Sequence, residues 1–110
     1  MHEFDLEERT YLFAESCRDF VKKLPRTISN IEYGKQLIRS SGSQAANYIE
    51  ANECLSKKDF FHRIKICRKE AKESRLWLRL CTTSAKERES LTREAIELTK
   101  IFSSIISKND

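Results

Sequence analysis

Four cysteines and two histidines are the residues of this 110-residue chain best suited to covalent or metal chemistry, and their spacing argues against both. Cys17, Cys54, Cys67 and Cys81 form no Cys-x-x-Cys pair, the arrangement that redox and zinc sites use. They read as reduced thiols of a cytoplasmic protein, not as a disulfide framework. Cys17, Cys67 and Cys81 fall on apolar stripes, where a thiol acts as a small apolar side chain. Cys54 stands near a helix end, with no histidine placed to activate it. His62 has no cysteine or histidine at ligand spacing, and His2 lies next to the terminus. Glu50 and Glu53 lack the Glu-x-x-His pairs with which helical bundles hold two metals. The expectation is a protein without catalytic residues, metal, cofactor or small-molecule substrate.

Charge is the chemistry that remains. Lys65, Arg68, Lys72, Arg75 and Arg79 recur at spacings of three and four, with Lys58, His62 and Lys69 close by. On a helix these residues share one edge and form a cationic strip about 30 Å long. Such a strip can follow the backbone of RNA or DNA, because each phosphate neutralised releases counterions, and arginine forks suit phosphate oxygens. The plainer alternative is a solvated face, or pairing of the strip with the acidic start of the chain. Residues 1–20 carry Glu3, Asp5, Glu7, Glu8, Glu15 and Asp19 against Arg9 and Arg18, whereas residues 56–79 carry nine lysines or arginines against Asp59, Glu70 and Glu73. The other flank of the same helix carries Ile66, Glu70, Glu73, Trp77 and Leu80. An apolar patch built around tryptophan and edged by glutamates suits a contact between copies of the chain. Simple cover for the edge of the subunit is the alternative.

Helices must position these residues. The chain holds two glycines and one proline with 35% charged residues, too few turn formers for a β architecture. Four helical segments follow from periodicity, at about 5–24, 28–54, 57–82 and 86–107. The first shows the stripe Leu6, Thr10, Phe13, Cys17, Phe20 and Leu24, closed by Pro25. The second shows Ile31, Ile38, Ala45, Ile49 and Asn52, flanked by Leu37 and Tyr48, with Thr27 or Ser29 as cap. It contains the segment SSGSQAANYIEANE, residues 40–53, whose opening reads like a linker. Apolar periodicity continues on both sides in one phase, so the expectation is a helix with a waist of small residues that a neighbouring helix can approach. A break near Gly42 is the alternative. A phosphate-cradling loop would need spaced glycines and a lysine that are absent. Ser56 and Asp59 cap the third helix, whose stripe is Phe60, Ile64, Cys67, Ala71, Ser74, Leu78 and Cys81. The fourth shows Leu91, Ala95, Leu98, Phe102 and Ile105. Short connections make an up-down-up-down antiparallel four-helix bundle, all-α and of one domain, the economical arrangement. No apolar run approaches 18 residues, and MHEFDLEERT lacks the pattern of a signal peptide, so no membrane contact is expected.

One pattern is more specific. Ala46, Asn47, Ile49, Glu50 and Ala51, followed by Ser56, Lys57, Lys58, Asp59 and Phe60 and a basic helix, resemble the bacterial four-helix bundle family also called the 23S rRNA intervening-sequence protein family. The resemblance is strong over about residues 36–81. Many members have glycine where this chain has Asn52. The resemblance implies a bundle that assembles as a ring, commonly a homopentamer. It also implies a fold like that of the accessory variability determinant protein of diversity-generating retroelements, a basic pentameric barrel that binds nucleic acid and a reverse transcriptase. Two functions are therefore expected in order: a non-enzymatic homo-oligomer binding RNA or DNA, then an oligomeric scaffold for a protein partner.

Overall fold

Asp5 opens the first helix: its carboxylate accepts a hydrogen bond from the Glu8 amide at 3.2 Å. Thr27 does the same for Asn30 at 3.1 Å and Ser56 for Asp59 at 3.0 Å. Each cap satisfies an amide that the helix itself leaves unpaired. The computed structural model describes residues 5–109, and the helices are α1 (Leu6–Lys22), α2 (Ile28–Glu53), α3 (Lys57–Leu80) and α4 (Glu87–Ser107). Among the described residues α1 packs on α2 and α4, and α3 packs on α2 and α4, with no packing of α1 on α3. This is a four-helix bundle, 44 × 27 × 20 Å, with α1 and α3 at opposite corners.

The stripes of three helices make the core. Leu6, Thr10, Phe13, Cys17, Phe20 and Leu24 are buried from the α1 segment, and Leu91, Ala95, Leu98 and Phe102 from α4. From α3 come Ile64, Cys67, Ala71, Ser74, Leu78 and the capping Cys81. Phe61, rather than Phe60, is the buried phenylalanine at the start of α3. The two rings meet edge-on at 5.2 Å, so Phe60 closes the end of the bundle.

The expected stripe of α2 is corrected. Ile31, Ile38 and Ile49 are 39%, 46% and 47% exposed, while Asn30, Gly34, Leu37, Ser40, Ser41, Gln44 and Ala51 are buried. The helix has turned its small and polar side inward, where Asn30, Ser40 and the Gln44 amide nitrogen find partners and Gln44 Oε1 alone of that amide is left without one. Ser40 Oγ lies 2.8 Å from Ser74 Oγ, and Gln44 Nε2 donates to the Thr10 and Ser41 carbonyls at 2.8 and 2.9 Å. A buried polar group so paired costs little, and small side chains let helices approach closely.

Residues 40–53 are helical throughout, so Gly42 breaks nothing. The two glycines play opposite parts. A Cβ at Gly34 would stand 2.9 Å from Val21 Cγ1, so α1 needs glycine there. A Cβ at Gly42 would meet nothing within 4 Å. Gly34→Ala should therefore lose stability in urea titration despite a gain of about 1 kcal/mol in helix propensity, because overpacking against a stiff valine costs more.

Two buried thiols make stability depend on pH. Burial pushes Cys17 and Cys67 up to about 12 from an ordinary 9.0. The folded state holds them neutral, so their contribution is complete below pH 9 and is lost as pH rises from there towards 12. Melting temperature should fall over that window, and less steeply in the variant Cys17→Ala/Cys67→Ala.

Candidate nucleic-acid interface

The outward side of α3 carries the cationic strip. Lys58, His62, Lys65, Lys69, Lys72, Arg75 and Arg79 are exposed, and Arg68 is half-buried. The position of α1 at the opposite corner removes the acidic first helix from this strip. Among the described residues, Lys69 is the one member of the strip that forms an ion pair with a carboxylate. Lys69 lies 3.8 Å from Glu70, while Arg68 turns towards α4 and donates to Ser103 Oγ at 3.4 Å. Among the described residues no carboxylate forms an ion pair with Lys65, Arg68, Lys72, Arg75 or Arg79. Five unpaired cations along one helix edge repel one another, and an anionic ligand relieves that repulsion.

The strip is one bank of a trough. Lys72, Arg75, Leu76 and Arg79 of α3 face Ile96, Thr99 and Lys100 of α4 across a cleft of about 330 Å³. A second cleft continues it towards the start of α4, lined by Arg79, Arg88, Thr92 and Arg93 together with Glu89. The bank supplied by α4 was missed in the sequence reading. Its signal was available: Arg93 and Lys100 are seven residues apart, hence on one face of α4,. Both are partly neutralised, by Glu89 at 3.7 Å and Glu97 at 3.6 Å. The floor is apolar, with Leu76 45% exposed and Ile96 half-buried. Pairing is local on the α4 bank and missing on the α3 bank, so α3 supplies most of the field.

The five residues expected at a contact between copies divide into two groups. Trp77 is half-buried, its ring stacked on Tyr33 with centroids 5.9 Å apart. Glu70 is buried beside Arg39, whose Nη2 lies 3.5 Å away and also reaches Glu73 at 3.2 Å. Both residues therefore serve the α2–α3 seam of the subunit. Ile66 and Glu73 are half-buried along the same seam, and Leu80 is 41% exposed.

No group of three or more histidine, cysteine, aspartate or glutamate side chains among the described residues could hold a metal ion. Glu50, Glu53, Cys54, Asp59, His62 and Arg63 line a shallow cleft at one end of the bundle, where Arg63 donates to Asn47 Oδ1 at 2.9 Å. Among the described residues no helix is long and apolar enough to cross a membrane.

Comparison with known proteins is specific. A family model described as 23S rRNA-intervening sequence protein matches residues 2–108. The chain is also similar to a solved structure from Bacteroides thetaiotaomicron, described as a protein with unknown function from the S23 ribosomal protein family. The two are 28% identical, the match covers 93% of this chain and 98% of that one, and the TM-score is 0.80. Comparison with curated proteins gave no match.

Proposed function

The chain belongs to the 23S rRNA-intervening sequence protein family, and from that premise we propose that it is a non-enzymatic, homo-oligomeric module that grips the phosphate backbone of RNA or DNA along the α3–α4 trough. The observation that carries this reading is the unpaired α3 bank: Lys65, Arg68, Lys72, Arg75 and Arg79 stand in a row with no carboxylate paired to them. Arginine and lysine so arranged contact phosphate oxygens without reading bases, so affinity is set by charge and salt. Assembly into a ring, most simply a pentamer as the family resemblance implies, repeats the trough around the particle and adds weak sites through multivalency. Three of the four thiols are buried, which suits a reducing cytoplasm,.

Titration of the purified protein against a structured RNA and a duplex DNA of equal length, at about 50 and about 200 mM salt, tests the reading. Binding that weakens at least tenfold between the two conditions supports it. No binding at the lower salt overturns it. The trough, with its apolar floor of Leu76 and Ile96, then becomes the docking surface of a scaffold for an acidic protein segment.

A further inference from the structure

The α3–α4 trough has a floor that a grip on phosphates does not use. Leu76, 45% exposed, and half-buried Ile96 lie between the cations of its two banks. Along α4 the trough is also lined by Thr99 in one cleft and Thr92 in the next. Thr92 Oγ1 donates to the Arg88 carbonyl and Thr99 Oγ1 to the Ala95 carbonyl, both at 2.7 Å. Each hydroxyl has only one proton to donate, so towards a ligand its oxygen can only accept. Phosphate oxygens also only accept. Neither the threonines nor the two apolar side chains therefore suit them.

We propose that the trough takes a single strand of RNA, with its phosphates on the α3 bank and its nucleosides on the floor. This rests on the phosphate-gripping reading above and names its ligand. Shape, charge and floor each select a strand over a duplex. The clefts lie between two packed helices, whose axes in such a pair stand about 8–10 Å apart. A duplex, whose major groove alone is about 12 Å wide, does not enter such a cleft. The cations from Lys65 to Arg79 run straight along α3 for about 21 Å. Over that length a strand of a duplex winds through more than half a turn and leaves the row, whereas a flexible single strand follows it throughout. Base faces are stacked out of reach in a duplex and free in a single strand. Leu76 and Ile96 offer those faces apolar cover, and Arg75 and Arg79 offer guanidinium planes on which bases stack. Arg79 lines both clefts, of about 330 and 400 Å³, so one strand can pass from the first to the second. The threonines select RNA. A 2′-hydroxyl supplies the proton that Thr92 Oγ1 and Thr99 Oγ1 accept, and deoxyribose has no such group.

Fluorescence anisotropy tests this with an unstructured RNA of about 20 nucleotides, DNA of the same sequence, and the duplex of that RNA with its complement, at about 50 mM salt. The RNA strand should bind at least tenfold tighter than the duplex and severalfold tighter than the DNA strand. Leu76→Ala with Ile96→Ala should weaken binding of the RNA strand about tenfold and leave its salt slope unchanged, because no phosphate contact is lost. Thr92→Val with Thr99→Val should bring the RNA strand down to the level of the DNA strand. Should the alanine pair lose the helical circular dichroism of the wild type, Leu76→Gln at the exposed position repeats the test of the floor. A duplex bound as tightly as the strand, an affinity indifferent to the floor variants, or a preference for RNA that survives the valine pair would overturn the inference and leave the phosphate grip standing. No binding of any of the three nucleic acids would overturn the phosphate reading itself, and this inference with it.

Discussion

Reversing Lys72, Arg75 and Arg79 together to glutamate should lower affinity for RNA or DNA by at least a hundredfold at about 50 mM salt and leave the fold unchanged. The three side chains are exposed, form no ion pair with a carboxylate, and line the cleft between α3 and α4. Removing three phosphate contacts should lower the slope of log affinity against log salt by roughly two to three. Reversal adds repulsion, so the loss exceeds that of alanine at the same positions. Stability should change little or rise, because the substitutions relieve the mutual repulsion of neighbouring cations. A triple variant with wild-type affinity and salt slope would remove the trough from the binding reaction. Arg93→Glu with Lys100→Glu should have a smaller effect, since both already face carboxylates on their own helix.

Asn30→Ala should cost about 3 kcal/mol of stability, the largest loss expected from a single polar side chain in this protein. Asn30 is 2% exposed and joins two connections at one end of the bundle. Its Nδ2 donates to the Pro25 and Thr82 carbonyls, each at 2.9 Å, and its Oδ1 accepts from the Thr82 amide at 2.9 Å. Alanine removes the partner of the Thr82 amide and carbonyl and unties the two connections, while the Pro25 carbonyl keeps the Thr27 amide at 3.0 Å. The midpoint of urea unfolding should shift with little change in its slope, and the melting temperature should fall by roughly 10–20 °C. Asn30→Asp sharpens the test. It keeps the bond to the Thr82 amide but turns a donor into an anion facing two carbonyls, so it should be at least as damaging. A variant with asparagine's geometry removed and wild-type stability retained would show that ordered water replaces the side chain.

The α1–α4 seam shows how much of such pairing a linear reading misses. Arg9 makes a two-pronged contact with Glu94, its Nε and Nη2 donating at 2.7 and 2.8 Å. The two residues lie 85 positions apart, and neither belongs to a motif. Bidentate geometry is specific in space and silent in sequence. The α4 bank of the trough is legible in principle, because Arg93 and Lys100 repeat at seven, but only the packing of α4 on α3 sets it opposite the five cations of α3.

Periodicity and composition alone determined that this chain forms four long helices, which side of α1, α3 and α4 is buried, and where the cations of α3 lie. Those properties are local: a helix repeats every 3.6 residues, so apolar spacing and capping side chains state its length and its inward face. Only the tertiary structure decided the orientation of α2. Its isoleucines pointed to one inward face and its serines, asparagine and glutamine to another, and hydrophobic burial favours the first. The second won because Ser74, the Thr10 carbonyl and the Thr82 backbone stand where they pair with Ser40, Gln44 Nε2 and Asn30, which outweighs the one acceptor, Gln44 Oε1, buried without a partner. Hydrogen-bond partners are supplied by other helices, and no residue of α2 records where they will be.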